Sequence, residues 1–179
     1  MQIIEINIKF TSNIFRAYNK NMEKLWAPWR LEYIKSPKSG NCIFCDLPED
    51  DLDKENRILH RGKNCFVIMN AYPYSNGHLM VTPYRHLGCV TAINDKETQE
   101  LWYLTKHCVA VLRKLYSAQG FNIGLNIGKA GGAGFEEHLH NHVVPRWEGD
   151  TNFMPVLADV KVMPEHLSAG YEVLLPHFQ

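Results

Sequence analysis

The chain has 179 residues, of which 45% are hydrophobic and 21% charged, and its 19 Lys and Arg cancel its 19 Asp and Glu. That length fits one ordinary domain with short terminal additions and excludes two large ones. The balance excludes a disordered chain and any global field that would draw nucleic acid or an anionic membrane. The longest apolar runs are a few residues, far short of the roughly 20 needed to span a bilayer, so no membrane partner is expected.

Residues 1–21 alternate weakly through Ile4, Ile6, Ile8 and Phe10 and then lose their pattern before Met22. They read as an N-terminal extension, with Met22 as the true start or with a genuine edge strand as equal readings. They lack the basic stretch, apolar core and cleavage site of a secretory signal, so a cytoplasmic protein is expected. The aromatic stretch Leu25 to Arg30 opens a domain taken to run over 22–155, and 156–179 forms a proline-containing tail that closes over the site or docks on a partner.

Five cysteines are an odd number in a chain large enough to fold without staples, so reduced thiols are the default. Only Cys42 and Cys45 are spaced for joint chemistry. Cys65, Cys89 and Cys108 sit in apolar sequence and read as buried small hydrophobes. Residues 36–41 are turn chemistry, and 46–56 read as an acidic, solvated loop.

Short apolar runs at 58–60, 65–70 and 78–82, the last closed by Pro83, read as strands. Asn94 followed by Glu97 predicts a capping box, which opens a helix with Leu101, Leu104, Cys108, Val111, Leu112 and Leu115 on one face until Gly120 stops it. Further strands are predicted at 121–127 and at 138–144, the latter ended by Pro145. Five short strands and one long helix give an α+β fold with a mainly antiparallel sheet.

His138, His140 and His142 stand at alternate positions, so on a strand their side chains would share one face, about 6.6 Å apart from one to the next. Three aligned imidazoles are improbable as packing, and a neutral ring nitrogen near pH 7 suits nucleophilic and acid-base work. The preceding run Gly128 to Gly134 holds four glycines and two alanines, which let main-chain N–H groups approach an anion closely. Together they describe a phosphate facing a nucleophile. Glu136 and Glu137 are adjacent, so on a strand they face opposite ways and cannot both reach it. His78 reads as a buried structural residue hydrogen-bonded to backbone, while His60, His107, His166 and His177 have surface or packing roles.

The run His138-Leu139-His140-Asn141-His142-Val143-Val144, followed by Pro145-Arg146, resembles the motif of the histidine triad (HIT) superfamily, whose members cleave or transfer nucleoside monophosphates. Asn70-Ala71-Tyr72-Pro73-Tyr74-Ser75-Asn76-Gly77-His78 matches a second family segment. Leu25-Trp26-Ala27-Pro28-Trp29-Arg30 and the stretch from Pro145 to Phe153 look most like bacterial members related to diadenosine tetraphosphate phosphorylases. The resemblance implies a HIT-like fold, a homodimer and turnover of a nucleotide or dinucleoside polyphosphate without an organic cofactor. It assigns His140 as the nucleophile that accepts the nucleotide, and His142 as a phosphate-oxygen contact. It has Asn126 and the N–H groups of Gly132, Ala133 and Gly134 stabilise charge on phosphorus, Asn70 hold the ribose, and aromatics near Trp26 and Trp29 wall the base.

One departure stands out. Many members carry a Gln in the loop before the first histidine, near the leaving group, whereas Gly131 to Glu137 has none. A smaller loop favours inorganic phosphate as acceptor over water. The Cys42-x-x-Cys45 pair suits a redox motif, free thiols or zinc. Relatives complete a closed structural zinc site with two histidines, which here would be His86 and His138. Two rivals come from other classes: a catalytic-metal hydrolase, because His-x-His on a strand also grips a metal, and a nucleotide-binding sensor with little turnover.

Overall fold

The computed structural model describes residues 42–150 and 165–179. The expectations for residues 1–21, for Met22, Trp26 and Trp29, and for the stretch beyond Asp150 up to Phe153 lie outside the described residues.

Five strands, β1 (Ile58–Arg61), β2 (Cys65–Met69), β3 (Leu79–Pro83), β4 (Gly120–Leu125) and β5 (Asn141–Arg146), form one sheet in the order β1-β2-β3-β5-β4. Every pairing is antiparallel, as expected. Strand alternation divides the apolar residues between two faces. Cys65, Val67, Met69, Leu79, Val81 and Val143 pack on one face against the long helix, while Phe66, Ile68 and Met80 gather on the other with Phe44 and Ile58.

The long helix runs over Asp95–Tyr116 and begins with the predicted capping box: Asn94 accepts the N–H of Glu97, and the Glu97 carboxylate accepts the N–H of Asn94. It ends at Ser117, held at φ 50°, before Gly120 is reached. Thr105 on this helix accepts from Asn141 at 2.9 Å, which ties it to the first residue of β5.

Several expectations need correction. The strand expected over 138–144 begins at Asn141 and passes through Pro145 to Arg146. Residues 138–140 take their hydrogen bonds elsewhere, the Leu139 N–H to Leu87 O and the Leu139 carbonyl from the Thr82 hydroxyl. Pro145 is tolerated because β3 pairs with β5 only as far as Val143, so a missing N–H beyond that point leaves no gap in the β3 ladder. The loop expected at 46–56 contains a single-turn helix, α2 (Asp53–Asn56), and begins at the last residue of another, α1 (Ile43–Asp46). Numbered in that order, the long helix is α3.

The described part of the tail packs on its own chain. Helix α4 (Leu167–Leu174) buries Tyr171 and Leu174, and Phe178 follows them into the core on the α3 side. His60 Nδ1–H donates to the carbonyl of Phe178 and His107 Nε2–H to that of His177, so these two histidines fasten the tail. Cys65 and Cys108 are buried as expected, whereas Cys89 is half-exposed with its sulfur beside the Thr91 hydroxyl.

Candidate functional site

The site lies on the sheet face opposite α3. His142 projects there from β5, flanked across the ladders by Met80 of β3 and Gly124 of β4. Its ring centroid is 4.9 Å from that of His140, which stands just before the strand. His140 Nδ1 is 2.7 Å from the His138 carbonyl. A carbonyl only accepts, so Nδ1 carries the proton and Nε2 keeps its lone pair. Burial lowers the His140 pKa below the ordinary imidazole value, against the opposing pull of that backbone hydrogen bond, and so favours the neutral ring.

The same reasoning runs through His78. The Tyr74 N–H donates to its Nδ1 at 3.0 Å, so its proton is on Nε2 and is donated to His142 Nδ1 at 2.9 Å. The proton of His142 therefore resides on its Nε2. His78 does bond to backbone, as the sequence suggested, but it is also the group that sets the tautomer of a triad histidine. Gly77 before it sits at φ +71°, and a Cβ there would come within 2.8 Å of Leu112 Cδ2, so a larger residue would displace the turn that aims His78.

Asn70, Asn126, Gly134, His140 and His142 all line one open cavity. Asn70 Oδ1 accepts the N–H of Tyr72, which fixes the amide at the cavity rim. Gly132 and Ala133 were expected to present free N–H groups and do not. Their N–H groups close the turn on the carbonyls of Lys129 and Gly128, at 3.0 and 3.3 Å, and neither residue lines the cavity. Glu136 and Glu137 are both exposed.

Ile43, Phe44, Leu47, Ile68, Met80 and Phe135 supply the apolar walls of this cavity. The Phe44 ring stacks on His140 at 4.8 Å and 27°, and meets Phe135 edge-on at 6.0 Å. Sequence reading singled out none of them as site residues. The one available signal was that Phe44 lies between the two paired cysteines.

His138 points away from this cavity, because its neighbours in the chain leave the strand ladder. Its Nε2–H donates to the Pro83 carbonyl at 2.8 Å, which leaves the Nδ1 lone pair 3.1 Å from Cys42 Sγ and 3.5 Å from Cys45 Sγ. His86 Nδ1 is 3.5 Å from Cys45 Sγ, and the four donor atoms lie within 4.8 Å of one another. A tetrahedral zinc with bonds of about 2.0 to 2.3 Å needs donors about 3.5 Å apart, so the set fits a closed zinc site. The backbone carbonyl holding His138 Nε2–H is the outer support that metal-binding histidines require. Burial and the neighbouring Cys42 thiol push the Cys45 thiol up to about 11, so two thiolates here call for a cation.

A family model described as the HIT domain matches residues 52–149. Over 155 residues the chain is 37% identical to a Mycobacterium tuberculosis protein named AP-4-A phosphorylase, an alignment covering 82% of this chain and 79% of that one. A solved hypothetical histidine triad nucleotide-binding protein from Sulfolobus tokodaii superposes with a TM-score of 0.61 at 27% identity, covering 76% of this chain and 89% of its own. A Zn-bound histidine triad family protein from Mycobacterium smegmatis, at 23% identity, shares the fold with a TM-score of 0.62, covering 78% of this chain and 94% of that chain.

Proposed function

Because the chain belongs to the HIT domain family, we propose that it is an enzyme cleaving dinucleoside polyphosphates such as diadenosine tetraphosphate by way of a nucleotidyl-histidine. The observation that carries this is the fixed tautomer of His140, a neutral ring with its Nε2 lone pair free for attack beside a triad partner whose proton is on Nε2.

In the first step His140 Nε2 attacks the α-phosphorus, a P–N bond forms, and the P–O bond to the leaving ATP breaks. His142 Nε2–H, with Asn126 and the backbone at Gly134, donates to the oxygens on which charge builds. In the second step an oxygen of inorganic phosphate attacks the same phosphorus, the P–N bond breaks, and ADP leaves with the His140 lone pair restored. Water in place of phosphate would give AMP. Asn70 holds the ribose, and the base lies among Ile43, Phe44, Leu47 and Ile68. The name of the M. tuberculosis relative and the lack of a Gln between Gly131 and Glu137 support phosphate as acceptor.

Cys42, Cys45, His86 and His138 would hold a structural zinc ion, which when bound joins α1 to the segment bearing His140. The His138 carbonyl that orients His140 belongs to one of those residues, so the cluster acts on the nucleophile as a positioning device. A homodimer fits the outer strand β4, where Ile123 and, just beyond, Ile127 are exposed. No helix among the described residues is long and apolar enough to cross a membrane, in keeping with a cytoplasmic location.

Intact-mass measurement of protein quenched during turnover of diadenosine tetraphosphate is the test. An adenylate-sized adduct, absent from His140→Ala, is expected, with ADP plus ATP as products when phosphate is supplied. Turnover with no adduct, or turnover kept by His140→Ala, would defeat the covalent reading.

A further inference from the structure

Arg57 is not used by the reaction above, and its side chain is unusually placed. It caps α2 at φ 59°, a left-handed conformation that favours glycine, and its carbonyl accepts the N–H of Met69, the residue before Asn70. Its Nε is buried with no hydrogen-bond partner, and its guanidinium forms no ion pair among the described residues. An arginine presents five donors and no acceptor, so a half-buried one lacking a carboxylate is a group awaiting an anionic or acceptor ligand.

Arg57 lines two cavities at once. One is the nucleotide cavity, at the side where Asn70 stands. The other is an open cleft bounded further by Lys54, His166, Ser168 and Tyr171, and no Asp or Glu among the described residues lines it. The acids nearby are already engaged, Glu172 by Lys54 at 2.6 Å and Glu165 by the Tyr116 hydroxyl at 2.8 Å. His166 Nδ1 accepts from the Ser168 hydroxyl at 2.8 Å and from the Ser168 N–H at 3.4 Å, so the ring's proton is on Nε2, a further donor.

We propose that Arg57, with the Nε2–H of His166, forms a phosphate subsite beside the ribose wall of the nucleotide cavity, so that a nucleotide bearing a second phosphate on its ribose is held at two points. Arg57 makes the bidentate contact to that phosphate, a geometry the planar guanidinium matches and an ammonium does not. The subsite rests on the nucleotide reading given above, because Asn70 must hold the ribose for its hydroxyls to face Arg57. The chemistry recognised is a phosphate, whether carried by the nucleotide or free in solution.

Calorimetric titration of the full chain with AMP, adenosine 3′,5′-bisphosphate and adenosine 2′,5′-bisphosphate tests it. One bisphosphate is expected to bind at least about tenfold more tightly than AMP, the scale of one charge-assisted contact. Arg57→Gly should erase that advantage to within twofold, the bisphosphates being compared with AMP within each protein because Arg57 also lines the nucleotide cavity. Glycine suits φ 59°, so this variant is expected to fold. Equal affinities in the wild type, or an advantage that survives Arg57→Gly, would overturn the proposal. Inorganic phosphate alone, titrated into the same two proteins, reports the other source: binding lost in Arg57→Gly, with no bisphosphate advantage, assigns the subsite to free phosphate and overturns the ribose-borne one. Failure of AMP itself to bind would instead strike the nucleotide reading.

Discussion

His78 Nε2 donates to His142 Nδ1 at 2.9 Å, and the direction of that bond is set on the far side of the ring by the N–H of Tyr74. Two hydrogen bonds in series thus decide which nitrogen of His142, a residue lining the cavity, carries the proton. His78→Leu removes the donor and leaves His142 free to take the other tautomer, so kcat should fall by about 10- to 100-fold, the usual scale for losing a residue that orients a functional histidine. A glutamine at the same place can accept from Tyr74 through its oxygen and donate to His142 through its nitrogen. His78→Gln should therefore retain clearly more activity than His78→Leu, and steady-state kinetics on the two variants would show it. Equal losses would mean that His78 only fills space.

Much of this was legible in the sequence because it depends on spacing. The capping box at Asn94 and Glu97 and the face of α3 are local patterns, and each survives in the structure, whereas of the three alternating histidines only His140 and His142 line the cavity. The start of β5 was not legible, because Leu139 bonds to Leu87 and Thr82, partners more than 50 residues away. The turn at Gly128 to Ala133 misled for a related reason. A glycine-rich run advertises free N–H groups, but here those groups close on carbonyls of the same loop, which composition does not reveal. The path from His78 to His142 and the stack of Phe44 on His140 join residues 64 and 96 positions apart, and only the sheet brings them together.

Glu97 sits almost wholly buried at the start of α3, where it accepts two hydrogen bonds from Arg85, at 2.9 and 2.7 Å, as well as the N–H of Asn94. Arg85 holds its carboxyl below the ordinary glutamate value, with burial opposing and the Asn94 N–H assisting. A carboxylate whose pKa is depressed on folding stabilises above its unfolded value and loses that contribution as the pH falls through the folded one. Glu97→Gln should accordingly cost about 1–2 kcal/mol at pH 7, as for loss of a capping contact with a charged partner. The gap between variant and wild type should close below about pH 4. Urea unfolding of both proteins at the two pH values checks this, and a gap that persists in acid would refute the account.

The four donors at Cys42, Cys45, His86 and His138 predict close to one zinc per chain after dialysis. Cys45→Ser should lose the metal and lower Tm by about 6–12 °C, equivalent to roughly 3 kcal/mol in a chain of this size. Elemental analysis and thermal unfolding read the two effects separately. Metal-free wild-type protein with an unchanged Tm would show that these side chains serve as ordinary thiols and imidazoles.

Phe44 joins the Cys42, Cys45, His86 and His138 cluster to His140, since it lies between Cys42, which caps α1, and Cys45 within it, and lays its ring on His140. It is 3% exposed, so Phe44→Ala opens a cavity and should cost about 3–5 kcal/mol. That loss alone would not separate packing from positioning. Phe44→Leu does, because leucine keeps most of the volume, at a cost below about 1.5 kcal/mol, yet offers the imidazole no flat surface. A ring no longer held in plane spends less time with Nε2 in line with phosphorus, so kcat should drop about tenfold or more, since small misplacements weigh heavily on attack geometry. Zinc content and Tm should stay near the wild-type values in that variant. If its rate also stays there, Phe44 contributes packing to the site and nothing to the aim of His140.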